Sequence, residues 1–263
     1  MSIQKIEMIY AGYCVNDEKR MFRGASHKKV EFPAACVLLK HSERGYVMFD
    51  TGYSRENENI GGLTGFLYKK LNPDYIDKET ELVSILKKKG IDESEIGTVI
   101  VSHVHPDHVG GLKAFGSASF VISEEAYGVY AKPSIKSLVF RNLFPEDFSR
   151  RAVRIKADRF YSELFPRTYD VFGDESALMV PIEGHSKGQM GLYLPNERLF
   201  FAADACWREE YFGRTNEMRS FPRFLQNSFR EYTETQNWLS EVCKSGIKVI
   251  YSHNAPLENG ELK

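Results

Sequence analysis

Between residues 102 and 112 the chain reads SHVHPDHVGGL, which sets His103, His105, Asp107 and His108 within six positions. Histidine makes up only 7 of 263 residues, so chance would give about 0.005 windows with three histidines at these spacings. The segment follows the run 98–102 (TVIVS), a short apolar stretch of the kind that forms a buried strand. In extended chain, side chains two positions apart point the same way, so His103 and His105 can grip one ion together. Pro106 turns the chain, and Asp107 and His108 can then aim at a second ion beside the first. Gly110 and Gly111 let the backbone bend and pass close to that site. Imidazole and carboxylate suit zinc, iron or manganese, and the lack of thiolates argues against a purely structural zinc knot.

A metal pair needs more donors than this motif holds, and three lie at the ends of later apolar runs. His185 follows the run 177–182, Asp204 closes LFFAAD, and His253 follows IKVIYS. An aspartate just past an apolar run is costly to bury unless a cation holds it.

The rest of the pattern alternates strands and helices. Strands are expected at 3–10, 30–40 and 46–50, then a long loop with a helical piece at 63–71 and a helix at 79–89 closed by Gly90. A strand at 119–122 and a helix at 124–130 precede the segment 132–167, which is aromatic and basic and is expected to be a helical insertion. Further strands are expected at 168–172, 178–182, 190–194, 199–203 and 247–251, with an irregular insertion at 207–223 and an amphipathic helix at 224–244. This order predicts an α/β fold of sheets covered by helices, with one domain spanning 1–263.

The ordered set H-x-H-x-D-H, single His, Asp and final His resembles the signature of the metallo-β-lactamase superfamily. The resemblance runs from Asp50-Thr51-Gly52, matching that family's early D-T-G turn, to His253. It implies an αβ/βα sandwich, two mixed sheets covered by helices, with two divalent ions at one edge. It also implies that His103, His105 and His185 hold one ion and Asp107, His108 and His253 the other. Asp204 and a water or hydroxide would bridge them, and Asp50 would orient ligands. Zinc is the expected metal, with iron or manganese as alternatives.

In length and motif the chain is similar to the N-acyl homoserine lactonase branch. Those lactonases carry a tyrosine three residues after the bridging aspartate. Trp207 stands there in this chain, and it can donate a hydrogen bond but neither accept one nor ionise. Tyr211 and Tyr193 are candidates to replace that tyrosine. Trp207, Tyr211 and Phe144 are expected to wall a substrate pocket.

The implied chemistry is hydrolysis. A metal lowers the pKa of bound water from about 15.7 to about 7, so a bridging hydroxide can attack an ester-type bond such as a lactone. Asp107 is expected to handle the leaving-group proton as well. No serine or cysteine nucleophile is needed for this chemistry. Alternatives within the fold are a phosphodiesterase, a glyoxalase-type thioesterase or, less favoured, an iron persulfide dioxygenase; a non-catalytic ligand-binding member is the remaining class.

Lysine and arginine total 35 against 36 acids, a formal charge of −1. That balance points to a small-molecule substrate and away from nucleic acid. No run approaches the roughly 18 apolar residues of a membrane span, and Lys5 and Glu7 interrupt what a signal peptide needs. Four cysteines without C-x-x-C spacing fit a reducing cytoplasm. No membrane association is expected, and a homodimer is left open.

Overall fold

Strand β1 (Ile3–Asp17) and β2 (Lys29–His41) form a long antiparallel ribbon whose connection holds the one-turn helix α1 (Glu18–Met21). This computed structural model describes residues 2–257 and 260–263. β3 (Gly45–Phe49) continues the ribbon antiparallel to β2. Helix α2 (Gly62–Leu71), the short β4 (Asp74–Tyr75) and helix α3 (Leu82–Lys88) follow. The chain then lays down β5 (Ile96–Ile100), α4 (Pro106–Val109), β6 (Ser119–Ser123), α5 (Glu124–Ala131), α6 (Phe148–Arg151) and β7 (Ala152–Ile155). Together these strands make a seven-stranded sheet in the order β4-β1-β2-β3-β5-β6-β7, parallel from β3 to β7 and antiparallel elsewhere.

The second half opens with β8 (Tyr169–Asp170), β9 (Leu178–Pro181), β10 (Met190–Leu194) and β11 (Leu199–Phe201). Helices α7 (Ser220–Leu225) and α8 (Phe229–Lys244) then lead to β12 (Lys248–Ile250). These strands form a five-stranded sheet in the order β12-β11-β10-β9-β8, with only the β11–β12 pair parallel.

Alternation along the strands sorts the core into layers. Val37, Leu39, Val47 and Phe49 pack in one cluster with Leu178, Val180, Leu192 and Phe200 of the other sheet. The intervening Cys36, Leu38 and Met48 face the opposite way and join Tyr68, Leu82 and Leu86 of the helices. Both faces of the first sheet are therefore covered, which explains why 34–39 reads AACVLL without a polar break. Tyr232, Leu239 and Val242 of α8 close the outer layer beyond the second sheet. The two mixed sheets covered by helices match the architecture the sequence implied.

Three local expectations are corrected. Residues 132–167 are not a helical insertion: they form 3₁₀ turns at Ile135–Ser137 and Arg141–Leu143, the single turn α6, and then β7 at the sheet edge. Pro133, Pro145 and Pro166 deny this stretch a continuous helix. The long helix begins at Phe229 rather than Phe224, because the Ser228 hydroxyl accepts from the Glu231 N–H and caps it there. β1 runs on to Asp17, past the expected end at Tyr10, with a register shift between Tyr10 and Tyr13 where Gly12 adopts φ 75°.

Candidate metal centre

The histidine motif leaves the end of β5 and turns into α4, with Pro106 at that helix's first position. The turn is laced to the segment after β3. Asp50 Oδ1 accepts from the Ser102 N–H at 2.8 Å, and its Oδ2 accepts from the Ser102 hydroxyl and from His108 Nδ1, each at 2.7 Å. The Thr51 N–H and hydroxyl both donate to the His108 carbonyl, at 2.8 and 3.0 Å. Gly110 and Gly111 lie so close that an added Cβ would sit 2.6 Å from the Gly52 carbonyl and 2.8 Å from the Thr51 carbonyl. This close approach requires glycine at both positions.

Two groups of donors result. His103, His105 and His185 present ligand nitrogens within 4.8 Å of one another, and so do the ligand atoms of Asp107, His108, Asp204 and His253. In the first group His105 Nδ1 lies 3.0 Å from both His103 Nε2 and His185 Nε2. His103 Nδ1 bonds the Ser102 hydroxyl oxygen, whose proton is committed to Asp50, and His185 Nδ1 donates to Gln226 Oε1 at 2.9 Å. Those partners assign both Nε2 atoms as lone pairs. His105 can donate to at most one of them, so at least one pair of lone pairs is in contact inside a buried pocket. A cation held among the three nitrogens relieves that arrangement.

The second group shows the same logic. His253 Nδ1 donates to the Pro33 carbonyl at 2.7 Å, and His108 Nδ1 donates to Asp50, so both Nε2 atoms turn toward the carboxylates of Asp204 and Asp107. His108 Nε2 and Asp204 Oδ1 are buried without a hydrogen-bond partner among the described residues, a costly state that a metal would resolve. Asp204 lies between the groups: its Oδ1 is 3.3 Å from His108 Nε2, and its Oδ2 is 3.3 Å from His253 Nε2 and 3.4 Å from His185 Nε2. Asp107 Oδ2 approaches His253 Nε2 at 3.5 Å and His108 Nε2 at 3.6 Å. The cluster fits a dinuclear site in donor type and spacing.

Electrostatics separate the two groups. Burial, then the neighbouring imidazoles, pushes His103 and His105 well below the ordinary histidine range, and burial also lowers His185. Burial pulls the same way on His108 and His253, but Asp204 and Asp107 outweigh it and raise both. Burial opposes the charge on Asp204, and the imidazoles of His253 and His108 hold it well below the carboxylate range all the same.

A cavity of about 630 Å³ opens onto this cluster and reaches His105, Asp107, His185, Asp204 and His253. Of the expected pocket residues, Trp207 lines it. Tyr211 and Phe144 do not, and here the expectation is corrected. The Tyr211 hydroxyl turns away to Glu18 Oε1 at 3.0 Å, and Phe144 is buried against Tyr130 and Phe148. Tyr193 stacks on Phe165 at 4.2 Å, also apart from the cavity. Sequence reasoning missed Tyr53 and Tyr68, whose hydroxyls meet at 3.2 Å and which both line the cavity. Tyr53 directly follows the D-T-G turn, and that adjacency was the available signal. Gln226 and Ser102, which orient His185 and His103, carried none.

The sequence profile of the family described as "Metallo-beta-lactamase superfamily" matches residues 30–235. The N-acyl homoserine lactonase AiiA of Bacillus thuringiensis subsp. kurstaki is 25% identical over 258 residues, covering 95% of this chain and 93% of that protein. An N-acyl homoserine lactone hydrolase solved with N-hexanoyl-L-homoserine at its catalytic metal centre superposes with TM-score 0.76 at 22% identity, over 97% of this chain and 94% of that one. AidC, a dizinc quorum-quenching lactonase, superposes with TM-score 0.70 at 16% identity, over 99% and 92% of the two chains.

Proposed function

We propose, on the premise that the chain belongs to the metallo-beta-lactamase superfamily, that it is a dizinc hydrolase that opens the ester bond of a lactone. The observation that carries this reading is Asp204: one carboxylate within 3.4 Å of imidazoles from both donor groups, at the floor of a cavity. His103, His105 and His185 would hold one ion, Asp107, His108 and His253 the other, with Asp204 between. Zinc pairs in such a donor set supply Lewis acidity and make bound water acidic near neutral pH.

The chain's own residues do the rest. Asp50 and the Pro33 carbonyl fix His108 and His253 with Nε2 turned inward. Asp107 directs Oδ2 toward these imidazoles, and its second oxygen takes the proton that the leaving alkoxide receives. Trp207, Phe32 and Met21 give the cavity an apolar wall that excludes water from the reacting bond. The hydroxyl pair of Tyr53 and Tyr68 offers the donor that Trp207 cannot match in versatility, and it would bond a polar group of the substrate.

The test is a panel of lactones, thioesters and phosphodiesters run on zinc-loaded protein. Lactone turnover that falls at least about a hundredfold in Asp107→Asn supports the reading; turnover of no lactone contradicts it. A second reading, phosphodiester hydrolysis, is favoured by one feature. Lys19, Arg20 and Arg219 line the cavity, and among the described residues its only carboxylates are the candidate ligands Asp107 and Asp204, so an anionic substrate would be welcome.

A further inference from the structure

Exposed apolar side chains on this protein are not scattered. Among the described residues eleven large hydrophobic side chains are exposed, and seven of them fall on three short segments, 62–71, 132–138 and 219–225. Helix α2 contributes Leu63 at 75% exposure and Phe66 at 63%, with Leu67 and Leu71 beside them. The second segment contributes Ile135 at 81%, and α7 contributes Phe221 at 51% and Phe224 at 65%. The segments share one face, because each also lends residues to the mouth of the cavity: Leu71, Leu138, and Phe221 with Leu225. Lys136 sits over the Phe224 ring at 5.0 Å, which joins the second segment to the third.

The charge on these segments is one-sided. Their 24 residues hold six cations, Lys69, Lys70, Lys132, Lys136, Arg219 and Arg223, and no aspartate or glutamate, in a chain whose total charge is −1. Among the described residues none of the six forms an ion pair. Lys69 and Arg219 reach only backbone carbonyls, and Arg223 reaches backbone carbonyls and the face of Phe229. Water-exposed phenylalanines ringed by unpaired cations are what a peripheral membrane surface presents: rings for the acyl boundary, cations for anionic headgroups.

We propose that this face docks the protein on an anionic lipid bilayer with the mouth of the cavity against the membrane. Charge decides against the obvious rival, a second copy of the chain. A two-fold interface would set the same patch against itself and oppose its six cations. An acidic protein would satisfy the cations but leaves the phenylalanine ring unexplained, whereas a bilayer meets both. No helix among the described residues is long and apolar enough to cross a membrane, so the contact is peripheral. It would let an amphipathic ester pass from the lipid phase into an apolar cavity.

The experiment is co-sedimentation of the metal-loaded protein with vesicles of phosphatidylglycerol and phosphatidylcholine, and with phosphatidylcholine alone. Binding to the anionic vesicles, weak binding to the neutral ones and loss of binding on raising salt are expected. Phe66→Ser with Phe224→Ser should cut partitioning about tenfold or more. Lys132→Gln with Lys136→Gln should cut it roughly thirtyfold. Phe66, Phe224 and Lys132 are exposed and Lys136 is half-buried without an ion pair, so both variants should keep the parent's circular dichroism and melting temperature. No binding to anionic vesicles overturns the proposal, as does binding that both variants retain. A concentration-dependent dimer abolished by the phenylalanine changes, with no vesicle binding, overturns it in favour of self-association. None of these readouts depends on which bond the enzyme cleaves.

Discussion

At the scale of single residues, orientation is the recurring theme: four imidazoles have one ring nitrogen spent on a partner so that the other is left to ligate. Asp50 is the most exposed of these partners to a test, because it serves both Ser102 and His108. Asp50→Ala should lower metal affinity roughly 10- to 100-fold, read by competition with a chromophoric chelator. The fold should survive, since the side chain bonds the turn rather than the core. Away from the site, Asp174 predicts a pH dependence. Burial opposes its charge, but hydrogen bonds from Ser176 and from His41 outweigh it and hold its carboxyl at about 2, below the usual 3.8. A depressed carboxyl stabilises the fold above its unfolded pKa and loses that contribution as pH falls through the folded one. Denaturation midpoints of the parent should therefore drop between pH 4 and pH 2, and the drop should be shallower in Asp174→Asn. Equal slopes would refute the assignment. Asp107, His185 and Asp204 were legible in the sequence because each carried a local signal, a dense motif or an acid beyond an apolar run. Gln226 was not, since an amide 41 positions from its histidine becomes visible only when α7 folds over the loop.

At the scale of elements, the centre depends on how α8 meets the loop that carries His185. Gly184 adopts φ 120°, and a Cβ there would lie 2.1 Å from the Tyr232 backbone nitrogen. Its carbonyl accepts from the Ser228 N–H at 2.9 Å, and the His185 carbonyl accepts from Asn227 at 3.0 Å. Gly184→Ala must push α8 away or move His185, and we expect a loss of roughly 2 kcal/mol or more together with lowered metal content. Ser228→Ala makes the contrast: it removes the α8 cap, should cost about 1 kcal/mol, and should leave metal content unchanged. Paired chemical denaturation and metal analysis of the two variants would check both. Strands such as β10 were read from sequence with their bounds intact, because uninterrupted apolar runs between turns leave little choice. The segment 132–167 was misread because its aromatic spacing resembles a helix face, while three prolines and the pairing of β7 with β6 decide otherwise. Long-range pairing of that kind overrides local pattern.

At the scale of the whole molecule, the proposed metal pair would join the two halves of the chain: His103, His105, Asp107 and His108 come from the first sheet's side, His185, Asp204 and His253 from the second. Ions that bind only the folded form stabilise it, by about 4 kcal/mol at a thousandfold excess over Kd. Chelation should therefore lower the melting temperature by at least about 8 °C, and zinc should restore it; an unchanged melt would show that the ions contribute little to joining the sheets. The sandwich itself was legible because the ordered set from His103 to His253 resembles the superfamily signature, and that resemblance implies the fold. Of the cavity's walls only Trp207 was legible, since Tyr53, Tyr68 and Met21 meet it only after the sheets pack. Whether two ions share Asp204 is decided by elemental analysis of freshly purified protein beside Asp204→Ala. About two equivalents of divalent transition metal per chain, falling to one or fewer in the variant, is the predicted result. Metal-free parent protein, or an undiminished two equivalents without Asp204, would contradict it.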